Sequence, residues 1–306
     1  MSTKADYIIT LIGKNPSPNY YTILNYSKSG TKVYAFYTLN DSESVSSENV
    51  LKNIIRSVNE KDDSIVIKSV PCDKSRKKSI EKCVKSEFSN IIKNCDYDNL
   101  GSRTVNIIVD YTGSTKSMSA FFYSFYNKIV EKDEYSKLNI HSSYVSSDKG
   151  EIYECKFEPV KIESIYEIEN VFEQFGITME NLIALHGYKL VDGNQISDIY
   201  HNHNFNYKFD HIDIKKGNLR FCITVKCEKI KDLVHKYFEI SDEVEKAGGS
   251  EAYIDFHVKG YKFKDKCLNY GDTRSKFYDS LSNVYSRDLK EKVTVTFEEE
   301  NKEENE

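Results

Sequence analysis

The chain has 306 residues, 39% of them hydrophobic and 30% charged, which is enough for two compact globular domains of roughly 150 residues each. Its net charge is -5, and the last ten residues hold six glutamates and one lysine, so the body is close to neutral. That excludes a general nucleic-acid coat and marks 298–306 as a solvated acidic tail. No apolar run reaches about 18 residues and the start lacks a long apolar core, so neither a membrane span nor a secretory leader is expected. Seven cysteines, an odd number without a Cys-x-x-Cys pair, argue against a disulfide framework or a zinc site and for the reducing cytoplasm.

In chain order, residues 7–12, 32–37, 64–70 and 104–111 are short apolar runs of β-type residues and predict strands. Helical patterns lie between them. Ile80, Cys83, Val84, Phe88, Ile91 and Ile92 fill one helical face, and Met118, Phe121, Phe122, Phe125 and Ile129 fill another. Such alternation predicts a parallel sheet covered by helices on both faces. Tyr144 and the run 152–157 would close it as a hairpin, giving a first domain over 1–157. Residues 158–190 predict a helical connector. A smaller α/β domain over 191–297 would follow, with strands at 207–214, 219–227, 252–258 and 292–297. Its helix over 230–247 would bury Leu233, Val234, Tyr237, Ile240 and Val244 and stop at Gly248-Gly249.

In an open parallel sheet, ligands bind beyond the carboxyl ends of the strands, where strand order reverses. The loops after the first and fourth strands are the most unusual segments of the first domain. One is Gly13-Lys14-Asn15-Pro16-Ser17-Pro18-Asn19. Its glycine allows close backbone approach, its prolines fix the path, and Asn19 or Ser17 could cap the next helix. The other is Asp110-Tyr111-Thr112-Gly113-Ser114-Thr115-Lys116-Ser117-Met118. It sets hydroxyls, a glycine and one cation before a helix start, as a phosphate or ribose site requires. It is not a P-loop, because Thr115 rather than glycine precedes Lys116. A rigid strand-helix turn and a capped helix start are the plain readings of the same segments.

The two loops resemble those of the CARF family, the Rossmann-fold sensors associated with type III CRISPR systems. The second is similar to the pattern Asp-x-Thr-Gly-Gly-Thr-Lys-x-Met, with Ser114 at the second glycine. The resemblance covers residues 1–157. It implies a homodimer that binds a cyclic oligoadenylate across its two-fold axis, cyclic tetra-adenylate foremost, since a two-fold site suits an even-membered ring. The ligand-binding residues it implies are Gly13, Lys14, Asn15, Pro16, Pro18, Asn19, Thr112, Gly113, Ser114, Thr115, Lys116, Ser117 and Met118, with Lys116 facing ring phosphates.

The second domain resembles the PD-(D/E)xK nuclease domain of DUF1887-type CARF proteins. Asp210-His211-Ile212-Asp213, the strand ending Thr224-Val225-Lys226, and Gly248-Gly249 carry that resemblance. It implies Mg²⁺ or Mn²⁺ at Asp213, with Lys226 as the cation and DNA or RNA as substrate. Thr224 stands where a second carboxylate belongs, and Glu228, on the same face by alternation, could substitute. A solvated sheet end without catalysis is the other reading, as is a sensor that only binds the ring, or a ring nuclease that cleaves it. His201, Asn202 and His203 read as a polar loop rather than as metal ligands.

Overall fold

The protein is described here from a computed structural model, covering residues 3–38, 46–73, 76–113, 115–146, 149–157, 161–191, 195–198, 207, 209–215, 218–248, 252–261, 270–282 and 292–298. Ser114, His201, Asn202, His203 and Gly249 lie outside the described residues. The chain divides into two units, residues 1–187 and 188–306.

The first unit is built on a seven-stranded sheet. Its strands are β1 (Tyr7–Leu11), β2 (Lys32–Thr38), β3 (Val66–Cys72), β4 (Val105–Asp110), β5 (Leu138–Ser146), β6 (Glu151–Lys156) and β7 (Lys161–Glu167). They lie in the order β3-β2-β1-β4-β5-β6-β7. The first five run parallel; β6 and β7 return antiparallel at one edge. All five residues of β1 are buried, as expected of a central strand covered on both faces. The chain winds outward from β1 to β3 and then crosses back, so β4 pairs with the other side of β1. The switch point therefore falls between β1 and β4.

The helices are α1 (Ser17–Tyr26), α2 (Ser47–Lys61), α3 (Lys77–Asn94) and α4 (Lys116–Val130). Helix α1 is buried along its whole length, so it shows no amphipathic stripe. Helices α3 and α4 pack Ile80, Val84, Phe88 and Ile91 with Met118, Phe122, Tyr126 and Ile129 onto the odd-numbered residues of β1 and β4. Cys83, Ile92, Phe121 and Phe125 are only partly buried against that core.

The helical reading of the connector needs correction. Residues 161–167 form strand β7, and helices begin only after it, as α5 (Ile168–Phe175) and α6 (Met179–Leu185). β7 is an edge strand with exposed or half-buried side chains, so it carries no apolar run to mark it. Gly176 ends α5 in the left-handed region at φ 55°, and Thr178 with Asn181 forms a capping box for α6. Both helices fall in the first unit by its boundary at Gly187.

The second unit holds a two-stranded sheet of β8 (Tyr188–Val191) and β9 (Gln195–Asp198), and a four-stranded sheet. The latter joins β10 (His211–Lys215), β11 (Asn218–Lys226), β12 (Tyr253–Lys259) and β13 (Val293–Phe297) in that order. β10 is antiparallel to β11, and the other pairings are parallel. Leu219, Phe221, Ile223 and Val225 of β11 are buried, with Leu233, Tyr237, Ile240 and Val244 of α7 (Ile230–Gly248) and Phe277 and Leu281 of α8 (Tyr270–Ser282). Val234 is half-buried instead. No helix among the described residues is long and apolar enough to cross a membrane.

Candidate functional site

The two unusual loops meet at the switch point. β1 and β4 are neighbours, so the segments that leave their carboxyl ends emerge side by side. Gly113 is set so closely on the first loop that a Cβ there would overlap the Leu11 carbonyl oxygen and lie 2.8 Å from the Gly13 nitrogen. Only glycine permits that approach. Beyond it start α1 and α4, and the positive end of each helix dipole favours anions.

A buried carboxylate locks the loops together. Asp110, at the end of β4, is fully buried. One of its oxygens accepts from the Thr112 amide (3.1 Å) and hydroxyl (2.6 Å); the other accepts from the Thr10 hydroxyl (2.8 Å) and the Asn19 amide (3.1 Å). Burial pushes the Asp110 carboxyl up, and the hydrogen bonds from Thr112, Thr10 and Asn19 work against that rise. The same Asn19 amide donates to the Leu11 carbonyl at 2.8 Å. The Thr112 hydroxyl in turn accepts from the Val145 amide at 3.0 Å, which ties the loop to β5. Ser119 reaches back from α4 to the Tyr111 and Gly113 carbonyls at 3.2 and 3.3 Å.

This network assigns different places to the residues expected at the site. Lys14, Lys116 and Ser117 are exposed, and Gly13, Asn15, Thr112, Gly113 and Thr115 are half-buried. Those eight line the open end of the loops. Asn19, Pro16 and Pro18 are buried beneath it. Asn19 neither caps α1 nor faces outward: it sits inside the helix as a bracket on Asp110. The side chain that accepts from the Ser17 amide is Asn15, at 3.0 Å. Met118 is a core residue with no exposed surface, because helical spacing turns it onto the sheet. The Thr115 hydroxyl caps α4 by accepting from the Met118 amide at 3.3 Å.

Thr10 and Val145 had no role in the sequence reading, and Asp110 entered it only as the first residue of the second loop motif. A threonine inside an apolar strand was the available signal, since a buried hydroxyl needs a partner. A bond of 3.1 Å between Ser17 Oγ and His186 Nε2, which joins the start of α1 to the end of α6, had no sequence signal.

The residues expected to act in the second unit are not brought together. Asp213 pairs across the sheet with Arg220, six residues before Lys226, or about 20 Å along the strand. Both Asp213 oxygens are held by Arg220: Nε donates to one at 2.6 Å, and Nη2 forms a short bond with the other. That pairing raises the pKa of the guanidinium further. The next carboxylate on the same face, Asp255, also lies on Arg220, at 3.5 Å. A guanidinium fills the position a divalent ion would need, so these residues do not fit Mg²⁺ or Mn²⁺ at Asp213. Thr224 and Lys226 are exposed on one sheet face, and Glu228 is exposed past the strand end. The carboxylate beside Thr224 is Asp210, which accepts from its hydroxyl at 2.7 Å. The register explains the difference: β10 lies antiparallel to β11 with Lys215 opposite Asn218, so proximity to Asp213 belongs to the start of β11 and not to its end.

No protein-family model and no curated protein sequence matches the chain. Solved structures do. Can2 from Sulfobacillus thermosulfidooxidans, in complex with cyclic tetra-adenylate, superposes with a TM-score of 0.55 at 11% identity, over 95% of this chain and 93% of that one. Protein VC1899 from Vibrio cholerae superposes with a TM-score of 0.57 at 8% identity, over the same shares of the two chains. The chain thus shares its α/β fold, a largely parallel Rossmann-like sheet and a smaller second domain, with both proteins.

Proposed function

We propose that the first unit binds a cyclic oligoadenylate, cyclic tetra-adenylate foremost, at the loops after β1 and β4, and that the protein is a CRISPR-associated sensor acting as a homodimer. The observation that carries this reading is the seating of Gly113 on the backbone of Leu11 and Gly13. It unites two helix starts, the exposed Lys116 and Lys14, and a set of half-buried hydroxyl and amide groups at one strand end. Anionic phosphates suit such a place, and hydroxyl and amide groups suit ribose and base edges. The fold shared with Can2, a protein solved with that ring, supports the choice of ligand.

Lys116, at the first position of α4, would face ring phosphates from each of two subunits. Asp110, Asn19 and Thr10 would act beneath the ligand by fixing the loops before it arrives, which lowers the ordering cost of binding. For the second unit the favoured reading is an output domain without metal-dependent cleavage at Asp213, because Arg220 neutralises that carboxylate. Ring binding would bias that output by favouring one arrangement of the dimer.

Filter binding of labelled cyclic tetra-adenylate to the full chain and to Lys116→Ala tests the reading. The wild type should retain the ring, and the variant should lose at least about tenfold in affinity, the scale of one charge-assisted contact. Equal retention by both would remove Lys116 from the site. Linear adenylates accumulating with wild type but not with Lys116→Ala would turn the sensor into a ring nuclease. Cleavage of DNA or RNA that needs Mg²⁺ and is abolished by Asp213→Ala would restore the nuclease reading.

A further inference from the structure

At the antiparallel edge of the first sheet, three successive strands each contribute one ligating side chain to a single point. His141 of β5, Glu154 of β6 and Glu163 of β7 offer donor atoms that all lie within 4.8 Å of one another. His141 Nδ1 is 2.8 Å from Glu154 Oε1 and 3.5 Å from Glu163 Oε2. His141 and Glu154 are buried, while Glu163 keeps a quarter of its side chain exposed.

A hydrogen-bond chain determines which ring nitrogen faces the two carboxylates, and in what form. The Lys4 carbonyl can only accept, and it takes a bond from Asn106 Nδ2 at 3.3 Å. Asn106 Oδ1 therefore accepts from Asn139 Nδ2 at 2.9 Å. Asn139 Oδ1 is left to accept from His141 Nε2, also at 2.9 Å. So Nε2 carries a hydrogen, and Nδ1 turns toward two carboxylate oxygens that can only accept. Something positive must lie between them, either a proton or a metal ion.

Two further features suit a metal ion. The pairing of β6 with β7 slips between Glu154 and Cys155, so that Ser164 faces Glu154 and Ile162 faces Cys155. Glu163 is the extra residue of this β-bulge, which turns its carboxylate to the cluster; bulges re-aim side chains in this way. Glu154 is oriented from outside the cluster by the Thr3 hydroxyl (2.9 Å) and the Tyr166 hydroxyl (3.1 Å). Carboxamide and hydroxyl partners of this kind fix ligand orientation in protein metal sites. The other Glu163 oxygen is 2.8 Å from Lys156, whose side chain is more than half exposed.

We propose that His141, Glu154 and Glu163 form a site for a divalent first-row transition ion of the Zn²⁺ type, stapling β5, β6 and β7. One imidazole and two carboxylates suit such an ion, and the exposed side at Glu163 leaves room for water as a further ligand. β5 also holds the Thr112 loop through Val145, so the staple would stiffen the strand that supports the β4 loop. The proposal does not rest on the ring-binding reading.

The test uses the full chain stripped with EDTA, titrated with Zn²⁺ by calorimetry and with Co²⁺ by visible absorption. One ion per chain should bind, raise the melting temperature, and give a Co²⁺ spectrum without a thiolate charge-transfer band. Glu163→Gln should fold as the wild type in EDTA and lose at least about tenfold in affinity, since one charged ligand of three is removed. Glu134→Gln, an exposed carboxylate elsewhere, should bind as the wild type. Absence of a one-to-one ion, a thiolate band, or unchanged affinity in Glu163→Gln would overturn the proposal and leave a proton at His141 Nδ1.

Discussion

Gly113, in the loop after β4, and Leu11, the last residue of β1, are about a hundred residues apart in sequence, yet no side-chain carbon fits between them. Substitution Gly113→Ala must therefore push the two loops apart. Overpacking against backbone of this kind costs about 1–3 kcal/mol. Urea denaturation should show that loss, and ring binding should fall by more than the stability does, because the separated loops no longer present one surface. A variant with wild-type stability and binding would show that the loops do not depend on this contact.

Asn19 supplies the second test. Its amide serves Thr10, Leu11 and Asp110 at once, with no exposed surface. Asn19→Ala should cost about 2 kcal/mol, since buried acceptors then lose their donor. Asn19→Asp should cost more, because a second carboxylate would face Asp110. Thermal denaturation of the two variants checks the order, and the reverse order would contradict the assigned direction of the bonds.

Acid stability should involve Asp6 at the start of β1. Burial alone would raise its carboxyl, but Lys28, the Asn106 amide and Arg103 together hold it below the usual 3.8. A folded-state pKa below the unfolded one stabilises at pH values above the unfolded value, and that stabilisation disappears as pH falls through the depressed one. Urea midpoints at about pH 5 and about pH 3 should differ less in Asp6→Asn than in the wild type. Equal differences would remove Asp6 from the acid response.

In the second unit, Arg220 stands between Asp213 and Asp255. Arg220→Ala should destabilise by about 1 kcal/mol, the scale of a partly exposed ion pair, and by less once Asp213→Ala is added. Chemical denaturation of the single and double variants measures the coupling. Strictly additive losses would mean that the pair is not coupled.

The first sheet was legible because β1, β2 and β4 are continuous apolar runs and α3 and α4 carry clear stripes. β7 was not, since an edge strand with exposed side chains has no such run, and Ile162, Glu163 and Ile165 fit a helix as well as a strand. Helix α8 was missed because Thr273 takes the first place in its buried row, before Phe277 and Leu281. At the candidate site, the meeting of the two loops followed from strand order. The division between exposed Lys116 and buried Asn19, Pro18 and Met118 did not, because it depends on how each helix is turned against the sheet. The placement of Asp213 failed for a further reason: spacing does not reveal register, and the antiparallel pairing of β10 with β11 sets Asp213 opposite Arg220, at the far end from Lys226.

Calorimetric titration of the full chain with cyclic tetra-adenylate bears most directly on ring binding. The expected result is saturable heat at one ring per two chains, much reduced in Lys116→Ala. Absence of heat with the cyclic tri-, tetra- and hexa-adenylates alike, from protein that remains folded, would contradict it.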